Sequence, residues 1–433
     1  MAEIFPFAAL RYNTEQVPLD RVVTQPYDKI SPQMQDSYYK SNPYNLVRII
    51  LGRPQGEETE NNNRYSQAAD HFRTWRREGI LSQDSTPSLY AYSQRFSVPG
   101  TLNEVERKGF IALGRLHEYS EGIVFRHEQT LAKPKSDRLR LLRATHAHFG
   151  QIFMLYSDPA QTIDSLLFDQ DHHEWQEVSD EYGVLHRVRR ITESSILNIV
   201  SAEMADRKLI IADGHHRYET ALTFRSEAQA CSNEAFKQNA TRVMMTFVNM
   251  DSPGLTILPT HRVVFGLPNF DVESFLRKSK DLYEVEELKK TGESEVMKRL
   301  AESGKNATSF AVVTKKGVFL FRSKAGSNAH IGKEFSSRQR KLDVVNLHSL
   351  LLERVLGISR EQVINQEHIR YARSVSEVLA SVKDDPSVNV AFLMNAVSIE
   401  QVREIAFSGE VLPQKSTDFY PKLLSGLTIY ALE

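Results

Sequence analysis

Hydrophobic positions in the first third of the chain switch between strand and helix spacing. Leu46 to Leu51 is a short apolar run that predicts a strand, and a polar loop follows from Arg53 to Asn63. From Tyr65 the apolar positions Ala68, Ala69, Phe72 and Trp75 recur at helical spacing, with Gly79 placed to end that helix. Leu89 to Val98 alternates, with Tyr90, Tyr92, Phe96 and Val98 on one face, which predicts a half-buried strand. Phe110 to Leu113 predicts another short strand. A polar loop from Phe125 to Thr130 then precedes a helix that Ser136 or Asp137 can cap and that runs through Thr145.

The same reading continues downstream. Ile152 to Tyr156 predicts a strand, and Thr192 opens a helix with Ile196, Ile199 and Val200 on one side. Leu209 to Ala212 predicts a short buried strand that enters an Asp-Gly turn; the helix after it carries Tyr218, Ala221 and Leu222 at i, i+3 and i+4. Val243 to Met250 is strand-like, and Pro253-Gly254 marks a turn. After Gly266-Leu267-Pro268 the pattern changes. Phe310 to Thr314 and Val318 to Arg322 flank Lys315-Lys316-Gly317 as a hairpin, and Asp343 starts a helix that ends near Gly357. Val388 to Met394 predicts a strand, Ser398 caps the next helix, and Leu427 to Leu432 returns to strand. The pattern predicts an α/β (α+β) protein with mixed sheets. It divides into an N-terminal α/β segment over 1–100, a core over 101–267 and a C-terminal α/β domain over 268–433.

Composition narrows the function. Of 433 residues, 41% are hydrophobic, enough for more than one core. Lys+Arg is 54 against Asp+Glu at 55, a net charge of −1, so no global field draws the chain to nucleic acid or anionic membrane. The single cysteine, Cys231, permits no intrachain disulfide and no multi-cysteine zinc site; it reads as a bystander at a helix end. No apolar run approaches the roughly 20 residues that cross a bilayer. Met1 to Leu10 lacks a basic start followed by an apolar core. A cytoplasmic protein without a membrane partner is expected.

Chemistry concentrates in Asp213-Gly214-His215-His216-Arg217. A helix start leaves backbone N–H groups unpaired and carries about half a positive charge, so it attracts anions. Gly214 allows a sharp turn and close approach of a ligand. His215, His216 and Arg217 add donors at that end, although stability favours Asp or Glu in a first turn. That electrostatic clash calls for a compensating anion, and phosphate is the common one. Asp213 can cap the helix, hold a histidine or contact a metal-bound nucleotide; in the bland alternative it caps while the histidines stand exposed.

Further candidates flank this segment. His127 and Glu128 sit before a basic helix start with Lys133, Lys135 and Arg138. Glu128 suits a general base for a hydroxyl nucleophile, and Lys135 and Arg138 suit a transferring phosphoryl group. Against this stands a solvated loop before a charged helix. His261, Arg262 and Lys415 are candidates for contact with substrate, set against turn punctuation before the strand Val263 to Phe265. Asp171-His172-His173 lacks the apolar strand a metal triplet needs and reads as an exposed turn. His146 and His148, with His215 and His216, are a weaker zinc or iron option. No Gly-x-x-x-x-Gly-Lys-[Ser/Thr], Gly-x-Ser-x-Gly or His-Glu-x-x-His is present.

The run Ala212 to Ala221 resembles the signature of a prokaryotic family known as domain of unknown function 1015. Four further motifs carry the same resemblance: Pro26-Tyr27-Asp28; His127 to Thr130 with Pro134 to Leu139; Gly254-Leu255 with Pro259 to Arg262; and Pro413 to Lys422. It extends over nearly the whole chain. The strand–Gly–His–Arg–helix arrangement also resembles the phosphate-binding turn of the ParB/sulfiredoxin superfamily, over about ten residues. That superfamily uses nucleotides for sulfinic acid reduction, free-serine phosphorylation and CTP-driven clamping on DNA.

The resemblance implies a ParB/sulfiredoxin-like core and a kinase-type phosphotransferase that uses ATP or ADP with Mg²⁺ on a small hydroxylated metabolite, free serine first. Glu128, Asp213 and His216 would be catalytic. Gly214, His215, Arg217, Lys135 and Arg138 would hold phosphate, and His127, His261, Arg262 and Lys415 would meet the substrate. The alternatives are a nucleotide-sensing or DNA-associated module and a metal-dependent hydrolase or phosphatase.

Overall fold

The apolar segments condense into two large sheets in the computed structural model, which describes residues 2–54, 59, 62–128, 132–169 and 174–433. The sheets belong to two units. The first comprises Met1–Arg126, Thr130–Thr256 and Pro421–Glu433; the second comprises His127–Gln129 and Ile257–Tyr420.

Among the described residues the first unit's sheet runs Val124–Arg126, Leu209–Asp213, Ile152–Tyr156, Arg242–Asn249, Glu104–Arg115, Leu89–Ser97, Leu185–Ile191 and Gln176–Ser179. Ile4–Phe5 pairs with the end of Glu104–Arg115. Leu209–Asp213 lies parallel to Val124–Arg126 and antiparallel to Ile152–Tyr156, so the sheet is mixed. Val200 and Met204 of the helix Ser194–Ala205, and Tyr218 and Ala221 of His215–Ala228, pack into one core with Phe110, Met154 and Phe247 of the strands. A second core gathers Phe72 and Trp75 of Arg64–Arg77 with Ile49, Leu141, Phe149 and Ile429. Arg64–Arg77 starts at an Asn63–Ser66 capping box and ends before Gly79, whose φ is +74°.

The second unit's sheet is antiparallel throughout, in the order Tyr283–Glu287, Gly317–Ser323, Ser309–Thr314, Val388–Met394, His261–Phe265, Ile369–Ala372. Lys315 and Lys316 form the expected hairpin turn. The helix that opens at Asp343 widens over Leu347–Val355 to i→i+5 bonding, with Leu356 N donating to Leu351 O at 3.0 Å, and stops before Gly357.

Several expectations need correction. Leu46 to Leu51 is not a strand: Val47–Ile50 is a helical turn, started by Asn45, whose Oδ1 accepts from Val47 N at 2.9 Å. Short apolar runs carry no period that separates the two states. Leu89–Ser97 is buried on both faces over most of its length: Leu89 and Ala91 pack into the core with Phe110, while Tyr90 meets Phe7 on the other face. The helix expected from Ser136 or Asp137 already begins at Ala132, so neither residue caps it; Asp137 accepts instead from Tyr65 OH at 2.8 Å. Ser194, not Thr192, opens its helix, and Ile199 stays exposed. The last strand shrinks to Tyr430–Ala431. Residue 100 lies in the connection between two paired strands of one unit, and the second unit takes over at Ile257, ahead of 267. Gln129, Thr130 and Asp171 to His173 fall outside the described residues.

Gly254 shows how tightly the first unit closes. A Cβ there would lie 2.1 Å from Glu106 O and 2.6 Å from Arg107 Cα, both backbone atoms that cannot swing aside. Gly254→Ala should therefore cost about 2 kcal/mol or more by overpacking, read as a lowered midpoint in chemical denaturation; an unchanged midpoint would show that this turn yields.

Candidate functional site

The Leu209–Asp213 strand ends in a register shift against Phe153, which re-aims Asp213 away from the regular pleat. Gly214 follows at φ +92°, and a Cβ on it would sit 3.0 Å from Arg217 Nε. The helix His215–Ala228 then starts with no side chain capping it. Arg217, one turn in, bends back: its Nη2 donates to Asp213 Oδ2 at 2.7 Å and its Nη1 to Gln151 O. Lys422 Nζ donates to Asp213 Oδ1 at 3.0 Å. Burial alone would raise the Asp213 carboxyl, but Lys422, Arg217 and Lys29 outweigh it and hold the group far below the usual carboxylate range.

Lys422 is set by a buried polar lattice. Arg107, 2% exposed, donates through Nε to Gln94 Oε1 at 3.0 Å and through Nη2 to Pro421 O at 2.5 Å. Gln94 Nε2 donates to Lys422 O at 2.8 Å. The guanidinium lies 4.6 Å over the Phe153 ring, and burial lowers its pKa to about 10. The backbone on both sides of the Pro421–Lys422 bond is thus fixed from beneath, which aims the ammonium at Asp213.

Beside Arg217 lies a cavity of about 60 Å³, lined by Tyr27, Arg138, Gly150, Arg217 and Thr220 among others. That is room for about four waters or one oxyanion, and too little for a whole nucleotide. Arg138 stacks 4.0 Å above Tyr27, donates to Ile50 O at 2.8 Å and pairs with Asp137. Lys135 pairs with Glu219 of the helix His215–Ala228. The expected phosphate ligands Lys135 and Arg138 therefore already have protein partners, although Arg138 still faces the cavity.

The remaining expected residues assemble in the second unit. His127 is fully buried; its carbonyl accepts from Leu412 N at 2.7 Å and its Nε2 lies 2.7 Å from Thr417 Oγ1. Glu128 Oε1 accepts from Lys415 N at 2.6 Å, holding a residue at φ +57°. His261 is sealed in its strand with Nδ1 accepting from Met394 N at 3.2 Å, and burial and Arg262 lower its pKa to about 4. Arg262 is buried against carbonyls. The motifs thus sort into two groups. Tyr27, Asp213 to Arg217 and Lys422 meet in one unit; His127, Glu128, His261, Arg262 and Lys415 belong to the other.

Three roles change as a result. Asp213, with both oxygens engaged by cations, is a poor base and does not fit a Mg²⁺ ligand. Lys422 and Lys29 accompany the turn; Lys422 belongs to the tail motif Pro413 to Lys422, whereas nothing in the sequence singles out Lys29 beside Pro26-Tyr27-Asp28. The histidine metal option also fails: His148 stacks on Tyr430, and among the described residues no group of three His, Cys, Asp or Glu is placed to hold a metal.

Fold and site together define a mixed α/β protein with a cation-rich turn between a strand and a helix. The chain belongs to the family described as Protein of unknown function (DUF1015), whose model matches residues 4–345. The match stops short of Pro413 to Lys422, where the sequence resemblance continued. No curated protein matches the chain. Solved structures similar to it include a conserved hypothetical protein from Pyrococcus furiosus, at 14% identity over 72% of this chain and 92% of that one, with a TM-score of 0.36. A free serine kinase in complex with AMP is similar at 12% identity over 70% and 89%, TM-score 0.35. SbnI with a C-terminal truncation, from Staphylococcus aureus, is similar at 10% identity over 72% and 85%, TM-score 0.32.

Asp213 should leave a signature in acid. Its folded pKa is depressed, so its stabilisation is full above the unfolded value near 4 and fades as pH falls toward the folded value. Asp213→Asn should cost about 2 kcal/mol at neutral pH, and the gap to wild type should narrow below about pH 4. A gap that stays constant in denaturation across that range would contradict the ion-pair account.

Proposed function

We propose that the Asp213–Arg217 turn binds phosphate and that the protein transfers a phosphoryl group from ATP or ADP to a small hydroxylated metabolite, with free serine the first acceptor to try. The turn is read as the counterpart of the ParB/sulfiredoxin phosphate-binding turn. One observation carries the proposal. Lys29, Arg107, Arg217 and Lys422 all act on Asp213, beside a helix start that no side chain caps. An incoming anion would meet the same cations, at a helix end that favours negative charge.

Phosphoryl transfer asks the protein mainly to position the groups and stabilise charge. The acceptor hydroxyl oxygen bonds to the terminal phosphorus, the bond to the leaving nucleotide oxygen breaks, and the hydroxyl proton passes to a base. His216 is of the right type for that proton. Arg217 and Lys422 would steady the oxygens. The engagement of both Asp213 oxygens favours a second reading, a nucleotide sensor that binds without turnover.

Calorimetric titration with ATP, ADP and inorganic phosphate, and phosphorus NMR of mixtures with serine, separate these readings. Lys422→Ala should weaken phosphate binding about tenfold, the worth of one charge-assisted hydrogen bond. Binding without phosphoserine or another phosphorylated acceptor would leave the sensor; no binding of any of the three would overturn both.

A further inference from the structure

Buried ions in proteins are normally met by opposite charges, because an unanswered one costs several kcal/mol. The second unit departs from this at two places on one cavity. The cavity, about 300 Å³, is lined by Thr260, Arg262, Thr308, Lys341, Asp343 and Asn395 among others. Arg262 is 1% exposed. Its guanidinium donates to Thr260 O and to Lys415 O at 3.0 Å, touches Met394 Sδ at 3.3 Å and lies 5.3 Å from the Tyr371 ring. Its Nε meets no acceptor among the described residues. Glu128 acts on it through space, without a hydrogen bond.

Asp343 faces the same cavity with the opposite deficit. Its carboxyl makes no ion pair among the described residues; the nearby neutral side chains of Thr308 and Asn395 pull its pKa down, but burial outweighs them and raises it to about 6. Its place in a helix's first turn explains why an acid is tolerated there; Lys341 lines the same cavity but makes no ion pair with it. Arg262 and Asp343 form no ion pair with each other, although both line one polar hollow.

We propose that this cavity binds a small zwitterion of amino-acid type, its carboxylate on Arg262 and its ammonium on Asp343. The volume lies at the low end for ligand pockets, which suits such a molecule better than a nucleotide. The polar side chains of Thr308 and Asn395 hold Asp343 in place for the ammonium. This site uses residues of the second unit alone and does not depend on the phosphate reading.

The test is calorimetric titration of the full-length protein with glycine, alanine, serine, β-alanine and γ-aminobutyrate. Propionate and ethylamine serve as partners that lack one charge each. At least one zwitterion should bind, at least about tenfold more tightly than propionate or ethylamine. Asp343→Asn should erase that advantage over propionate while the inorganic phosphate titration stays as in wild type. If no zwitterion binds at millimolar concentration, or if propionate or ethylamine binds as well as the zwitterions, the proposal fails. It also fails if folded Asp343→Asn behaves like wild type. Should that variant not fold, the comparison of ligands on the wild-type protein still decides.

Discussion

One carboxylate joins three elements of the first unit. Asp213 closes the Leu209–Asp213 strand, takes Arg217 from the first turn of the following helix and takes Lys422 from the segment that returns near the end of the chain. Each contact constrains the others. Arg217 can fold back over Gly214 only because that residue has no Cβ to crowd the guanidinium. Lys422 reaches its oxygen only because Arg107 and Gln94 fix the carbonyls on either side of it. Burial alone would push the pKa of this carboxyl up; Lys422, Arg217 and Lys29 outweigh it and keep the group ionised over the physiological range.

The same arrangement reconciles stability with binding. A helix start crowded with cations would be a liability if nothing negative stood near it. Asp213 supplies part of that charge from within the protein, so the turn holds its shape before any ligand arrives. It supplies only part. Under the proposed function, an incoming oxyanion would have to compete with Asp213 for Lys422 and Arg217, so binding would be partner exchange more than the filling of a bare site.

Much of this was legible in the residues. The apolar run Leu209 to Ala212, the Asp-Gly step and the helical spacing after it fixed the strand, turn and helix, because period and turn chemistry agree there. The hairpin at Lys315-Lys316-Gly317 and the cap at Ser398 were readable for the same local reason. Val47–Ile50 misled because a run that short fits either period. Partnerships were the harder part. Nothing in the local pattern says that Arg217 turns back to Asp213, that Lys135 is taken by Glu219, or that the chain divides between His127 and Arg138 so that one motif serves two units. The Lys135–Glu219 pair and the division of the chain depend on contacts across dozens to hundreds of residues, which spacing does not encode.

The return of Pro421–Glu433 to the first unit bears on how the protein is made. On the ribosome, the strand and helix around Asp213 emerge about two hundred residues ahead of Lys422, with nearly all of the second unit translated in between. Domains tend to fold as they emerge, so the first unit stays incomplete, with Lys29, Arg107 and Arg217 but not Lys422 at the carboxylate, until the stretch from Pro421 docks. A nascent chain therefore lacks the lysine that completes the turn until nearly all of the second unit has been translated.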